Sequence, residues 1–194
     1  MSPLVTQGKT NLVYFAPTSG GKSIVSEILM LRAILGFRKR AIYVLPYVSI
    51  VSEKTAYLSQ LTENLNVKII ELHSQSEKSW SSNCDLAICT IEKANSLLNK
   101  LIEEELYFEV EFFIIDEFHL VQDQQRGYLL ETIIAKLKTM ERIFNQPNRY
   151  QIVGMSATLS GLTTLKRWLD STQVYQCNHR PVPLTEYTLD AKTG

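Results

Sequence analysis

An apolar run, Leu12–Ala16, passes directly into Ala16-Pro17-Thr18-Ser19-Gly20-Gly21-Lys22-Ser23, and Lys22 then opens a stretch of helical spacing. A strand that turns through a glycine-rich loop into a helix points to an α/β fold, and the rest of the chain keeps that rhythm. The strand candidates are Leu12–Ala16, Ala41–Leu45, Val67–Leu72, Asp85–Thr90, Phe112–Ile115 and Gln151–Met155. Several are apolar throughout, as strands covered on both faces should be. Between them, Lys22–Leu35, Val48–Leu61, Ile91–Ile102 and Gly127–Phe144 carry helix-like spacing, and Gly36 is placed as a C-terminal stop for the first. The expectation is an α/β domain with a mainly parallel sheet flanked by helices on both faces. The polar stretch Ser74–Asn83 reads as an exposed loop.

Bulk properties bound the partners. A chain of 194 residues that is 45% hydrophobic can bury one good-sized core, and its length favours a single domain. Its 20 basic and 20 acidic residues cancel, so contact with nucleic acid would have to be local, in a groove. Cys84, Cys89 and Cys177 form no C-x-x-C pair and read as reduced thiols. No apolar run is long enough to span a bilayer, and Met1-Ser2-Pro3-Leu4 does not open a signal peptide. The expectation is a soluble intracellular chain with no membrane partner.

The loop at Ala16–Ser23 has the context that phosphate binding demands. Glycines let the backbone curl so that successive N–H groups point at phosphate oxygens. Pro17, Thr18, Ser19, Gly20, Gly21, Lys22 and Ser23 are the candidate nucleotide-binding residues. Lys22 can reach the β- and γ-phosphates and the Ser23 hydroxyl can ligate magnesium. A carboxylate should then arrive from another strand. Phe112-Phe113-Ile114-Ile115-Asp116-Glu117 supplies it, an apolar strand ending in paired acids at the edge where open α/β sheets hold ligands. Asp116 is the second metal candidate. Glu117 is the candidate that orients and deprotonates an attacking water. Lys22, Asp116 and Glu117 are thus the catalytic set, with ATP and Mg2+ as the implied cofactors.

Asp116-Glu117-Phe118-His119, followed after the next strand by Ser156-Ala157-Thr158, resembles the DExH-type superfamily 2 helicases of the Ski2-like branch. Arg126-Gly127 with Glu131 resembles the R-G-x-x-x-E segment of that branch, and Arg180-Pro181-Val182-Pro183-Leu184 the stretch that closes its first motor domain. Leu45–Lys54 and Thr90–Leu97 look like motifs Ia and Ib of the polymerase-theta group of DNA helicases. The resemblance implies a RecA-like P-loop NTPase fold, with His119, Ser156 and Thr158 coupling the ATP site to a partner domain. It implies single-stranded DNA gripped around Pro46, Lys54, Thr90 and Lys93, and a nuclear role in replication and repair. Phe118 stands where the family usually has a smaller aliphatic residue, so a packing adjustment is expected there.

Helicases of this class hydrolyse ATP between two RecA-like domains, and the second supplies an arginine finger worth roughly 10³–10⁵ in rate. No such segment follows Arg180. Gln7 also sits too close to the loop to serve as the family's adenine-reading glutamine. The expected division is therefore 1–183 as the first RecA-like domain and 184–194 as the start of a linker toward a second one. The chain is expected to be a fragment or short form of an ATP-dependent DNA helicase. The competing expectations are a module that binds ATP and nucleic acid without helicase activity alone, and an RNA-directed Ski2-like helicase.

Overall fold

The computed structural model describes residues 10–17, 21–76, 79–81, 83–157, 168–170 and 172–177. Strands β1 (Asn11–Phe15), β2 (Arg40–Leu45), β3 (Ile69–Leu72), β4 (Leu86–Thr90), β5 (Val110–Ile115), β6 (Gln151–Ser156) and β7 (Thr172–Gln176) form one sheet in the order β3-β4-β2-β5-β6-β1-β7. Every neighbouring pair is parallel. The helices are α1 (Lys22–Leu31), α2 (Val48–Leu61), α3 (Ile91–Glu103) and α4 (Gly127–Ile143). This is the expected α/β architecture, a RecA-like parallel sheet between helical layers.

The apolar strands are apolar on both sides because both sides are covered. Along β2, Ile42 and Val44 join a core with Leu97 and Leu98 of α3 and Ile133 and Leu137 of α4. The alternate residues Ala41, Tyr43 and Leu45 join a second core with Leu29 and Met30 of α1 and Val51 and Leu58 of α2. The strand period of two sorts side chains between the layers, and each fully buried Ile, Leu or Phe contributes roughly 1.5–3 kcal/mol.

The structure departs from the sequence expectations at three places. The first helix ends at Gly36 as expected, but its last stretch is π-helical: Arg32–Gly36 follows Lys22–Leu31, and the chain reverses at Arg38, whose φ is 55°. A π turn carries the helical path one residue further than the α period allows. In the stretch read as a loop, Trp80 is buried and donates from Nε1 to a Glu109 carboxylate oxygen at 3.2 Å. It joins the core cluster that also holds Leu97 and Leu98 of α3. Third, β7 was not among the strand candidates. It lies at the sheet edge on β1, its half-exposed residues held by the ladder and by Tyr14–Tyr175 stacking at 5.3 Å.

Phe118 is fully buried, and its size is accommodated by Gly154 in β6: a Cβ on Gly154 would lie 3.0 Å from the Phe118 ring. The packing adjustment expected at Phe118 is therefore made by a glycine on the facing strand. Gly154→Ala should destabilise the fold by about 1–3 kcal/mol. Adding Phe118→Leu should recover a large share of that loss, since neighbours in contact couple. Urea denaturation midpoints of the single and double variants measure both effects.

Candidate functional site

Parallel pairing brings the carboxyl ends of β1, β5 and β6 to one rim, with β6 between the other two. There the Ala16 amide donates to the Ser156 carbonyl at 3.2 Å, and the Asp116 amide to the Val44 carbonyl at 3.0 Å. Thr18, Ser19, Gly20 and Thr158 lie outside the described residues, as do Arg180–Leu184 and the division at 183. Pro17 follows β1, and Gly21 ends the loop in the left-handed region at φ 73°, where glycine is at no disadvantage. Lys22 and Ser23 form the first turn of α1. The Ser23 carbonyl accepts from Ser26 Oγ at 2.8 Å.

The α1 N-terminus has no side-chain cap and no acidic residue in its first turn. Its leading amides and the positive end of its dipole are thus left for an anion. They face a cavity of about 620 Å³ lined by Gly21, Lys22, Ser23 and Glu27 on one side. Ile50, Glu53, Lys54 and Tyr57 of α2 line the other side, and Asp116 lies at the cavity as well.

Asp116 ends β5 with its Oδ1 accepting from the Glu117 amide at 2.8 Å. Burial pushes its carboxyl above the ordinary carboxylate value; the Glu117 charge adds to this, while the Glu117 amide, Lys22 and Lys54 pull it back. Glu117 is left-handed, φ 48° and ψ 46°, a conformation an L residue holds only when its surroundings impose it. Here the 3-10 helix Phe118–Gln122 begins directly after it, anchored by buried Phe118. His119 Nδ1 lies 3.2 Å from Glu117 Oε2 and 3.2 Å from Ser156 Oγ. The structure therefore brings Asp116, Glu117, His119 and Ser156 together.

Lys54 does not join the residues expected beside it. Its ammonium sits 2.9 Å from Glu27 Oε1, nearly enclosed, with the Tyr57 ring 5.3 Å and the Tyr43 ring 5.8 Å away. Tyr57 also donates to Glu27 Oε2 at 3.3 Å. Lys54 thus lines the phosphate-loop cavity and not the groove that holds Pro46, Thr90 and Lys93. The physical reason is the helical period, since Val51, Lys54 and Leu58 share the inward face of α2.

Pro46, Thr90 and Lys93 do meet, in a separate groove of about 480 Å³ that also includes Tyr47, Glu92 and Arg126. Thr90 caps α3, its Oγ1 accepting from the Lys93 amide at 3.4 Å. Two participants had no role assigned from sequence: Glu27, legible from its place on the buried stripe of α1, and Arg126, whose R-G-x-x-x-E context was legible without a function.

The donor set fits a nucleoside triphosphate with a small hard cation. Uncapped amides and Lys22 suit phosphates, and the hydroxyl of Ser23 with the carboxylate of Asp116 supplies the oxygen ligands magnesium takes. Fold and site together define a P-loop nucleotide-binding domain of the RecA-like class. Residues 1–166 match the DEAD/DEAH box helicase family, and the chain belongs to it.

Mouse DNA polymerase theta is 42% identical over 192 residues, covering 94% of this chain and 8% of that protein. Human "Helicase POLQ-like" is 38% identical over 186 residues, covering 93% of this chain and 16% of that protein. The ATP-dependent DNA helicase Hel308 of Thermoplasma volcanium is 32% identical over 177 residues, 90% of this chain and 24% of that protein. The chain therefore spans under a quarter of each of these relatives. The crystal structure of the DUF1998 helicase MrfA superposes with a TM-score of 0.71 over 89% of this chain and 28% of that one. At 16% identity, that likeness speaks for the fold alone.

Two outcomes test these placements. Lys54→Ala leaves the Glu27 carboxylate buried without its cation and should cost about 3 kcal/mol of stability. Lys93→Ala, at the groove, should change stability by less than about 0.5 kcal/mol in the same denaturation experiment. For Asp116, a folded-state value raised above the unfolded one means that ionisation costs the fold stability at neutral pH. That cost fades as pH falls through the raised value. Asp116→Asn should therefore melt higher than the parent at about pH 7, with the gap closing toward about pH 4. A constant gap would remove burial of the charge as its cause.

Proposed function

We propose that this chain is the ATP-binding first motor domain of an ATP-dependent DNA helicase acting on single-stranded or forked DNA in nuclear replication and repair. The observation that carries the reading is the uncapped α1 N-terminus and Asp116 opening onto one cavity, with Pro46, Thr90 and Lys93 gathered in a second groove. The relatives' names support DNA over RNA: two carry a DNA polymerase or DNA helicase title.

In this reading the amides of residues 18–23 and Lys22 hold the phosphates of ATP, and Ser23 and Asp116 hold Mg2+. Bound there, magnesium neutralises charge that builds up on the β- and γ-phosphate oxygens. Glu117 accepts a proton from the attacking water, its carboxylate lying 3.2 Å from His119 Nδ1. His119 and Ser156, 3.2 Å apart, carry the state of Glu117 toward Thr158 and a partner RecA-like domain. Pro46, Thr90 and Lys93 contribute to the grip on single-stranded DNA. Residues 1–183 form the motor domain and 184–194 begin the linker to the second one. Without that partner the domain binds ATP but turns it over slowly, because an arginine finger contributes roughly 10³–10⁵ in rate.

Nucleotide titration and ATPase assays test this. The chain should bind ATP–Mg2+, and Lys22→Ala should weaken binding at least about tenfold, as expected for loss of a charge-assisted phosphate contact. The full-length protein should show ATPase stimulated by single-stranded DNA more than by an RNA of the same length. Unchanged ATP binding in Lys22→Ala would sink the site assignment, and stronger stimulation by RNA would move the substrate to the other nucleic acid.

A further inference from the structure

One side chain bonds to two elements that line the groove. Arg126 donates from NH2 to the Pro46 carbonyl at 2.8 Å, on the wall formed by the end of β2. It donates from Nε to Glu92 Oε1 at 2.8 Å, on the opposite wall formed by the first turn of α3. Its guanidinium carbon also lies 5.7 Å from the centre of the Tyr47 ring. A guanidinium can serve both walls at once because its donors are fixed in one plane, which a lysine ammonium cannot reproduce. The bond to the Pro46 carbonyl is partly shielded from water, whereas Glu92 is 53% exposed and its bond to Arg126 faces solvent.

The same residue is tied to the acid pair by a short, fully hydrogen-bonded path. The Leu120 amide donates to the Glu117 carbonyl at 2.8 Å, Asp123 to Leu120 at 2.9 Å, and Gly127 to Asp123 at 3.0 Å. The Asp123 carboxylate accepts from the Gln125 and Arg126 amides at 2.9 and 2.7 Å. Gly127 leaves this path no slack: a Cβ there would lie 2.5 Å from the Val121 carbonyl oxygen. At the other end Phe118 is clamped in the core against Gly154. The segment from Glu117 to Arg126 is a hydrogen-bonded strut with the acid pair at one end and the groove residue Arg126 at the other.

We propose that Arg126 is a positioning residue: it sets the spacing of the groove walls and couples occupancy of the groove to the Asp116–Glu117 pair. This rests on the reading of the groove as the strand-binding site. Arg126 acts through Pro46 and the α3 first turn, and it does not itself contact the strand. A strand that shifts either wall moves Arg126, and the strut passes that shift to Glu117, which a left-handed backbone already holds away from its relaxed conformation.

The test uses the full-length protein, with single-stranded DNA and an ATPase readout. Arg126→Ala should raise the strand concentration for half-maximal stimulation by about tenfold, the loss expected for charge-assisted bonds to both walls. ATP affinity should be retained. The slope of strand affinity against salt should also be unchanged, because no phosphate contact is removed. A slope reduced by about one would make Arg126 a direct phosphate ligand and overturn the proposal. Arg126→Ala combined with Glu92→Gln should stay impaired, because the Pro46 carbonyl is still unheld; full recovery would reduce Arg126 to a counter-ion for Glu92 and overturn it too. Arg126→Lys, which keeps the charge and removes the fork, should fall between parent and alanine, and it carries the test if the alanine variant does not fold. Half-saturation equal to the parent in both variants would end the idea. Absence of any strand stimulation in the parent would instead sink the underlying reading of the groove.

Discussion

Parallel strand pairing is the constraint on which everything else depends. In a sheet whose neighbours all run the same way, every strand delivers its carboxyl end to one rim, so each segment that follows a strand opens onto a common surface. The loop after β1, the acids after β5, Ser156 at the end of β6, Pro46 after β2 and Thr90 at the end of β4 are far apart in sequence. They become neighbours without any loop having to travel. The register matters as well. Because β6 sits between β5 and β1, Ser156 is placed where its hydroxyl meets His119 while its carbonyl holds the Ala16 amide.

Much of this was legible in the sequence because burial on both faces leaves a strong trace. A strand such as Phe112–Ile115 has no solvent side, so its apolar run is unbroken and its position is clear. The trace vanishes where the burial does. β7 is an edge strand whose last residues, Tyr175 and Gln176, are exposed, and its sequence Thr172-Gln173-Val174-Tyr175-Gln176 carries no core pattern. The ladder to β1, a property of the tertiary fold, makes it a strand. The phosphate loop and the acid pair were legible for a different reason: their chemistry requires particular residues at particular spacings. Trp80 shows the limit of reading loops by polarity, because one aromatic in a polar stretch found a buried place and a carboxylate partner.

The placement of Lys54 was legible in the helical period. Val51, Lys54 and Leu58 lie on one stripe of α2, so a lysine there points at the core unless a partner meets it. On α1, Glu27 lies on the buried stripe with Met30. Opposite charges on the inward stripes of two helices that cover the same sheet face are a pairing that the helical period alone implies. The pair is worth little as a net source of stability, since both charges give up water to form it. Its consequence is geometric: α1 cannot slide against α2 without exposing one buried ion to a partnerless interior.

That geometric tie gives the helix layer its own link between cavity and groove, alongside the strut through Arg126. The first turn of α2, beginning at Val48, lies at the groove, and its next turns, through Ile50, Glu53, Lys54 and Tyr57, line the cavity. One rigid rod therefore borders both spaces. From α1 the contacts run through Glu27 to Lys54, and Lys54 belongs to the helix whose start is the groove wall. The strut and the rod converge on the same short stretch, Pro46–Val48, from opposite faces of the sheet rim. Two separate chains of contact therefore end at one short stretch that borders both spaces, which is the contiguous network that coupling between them would require.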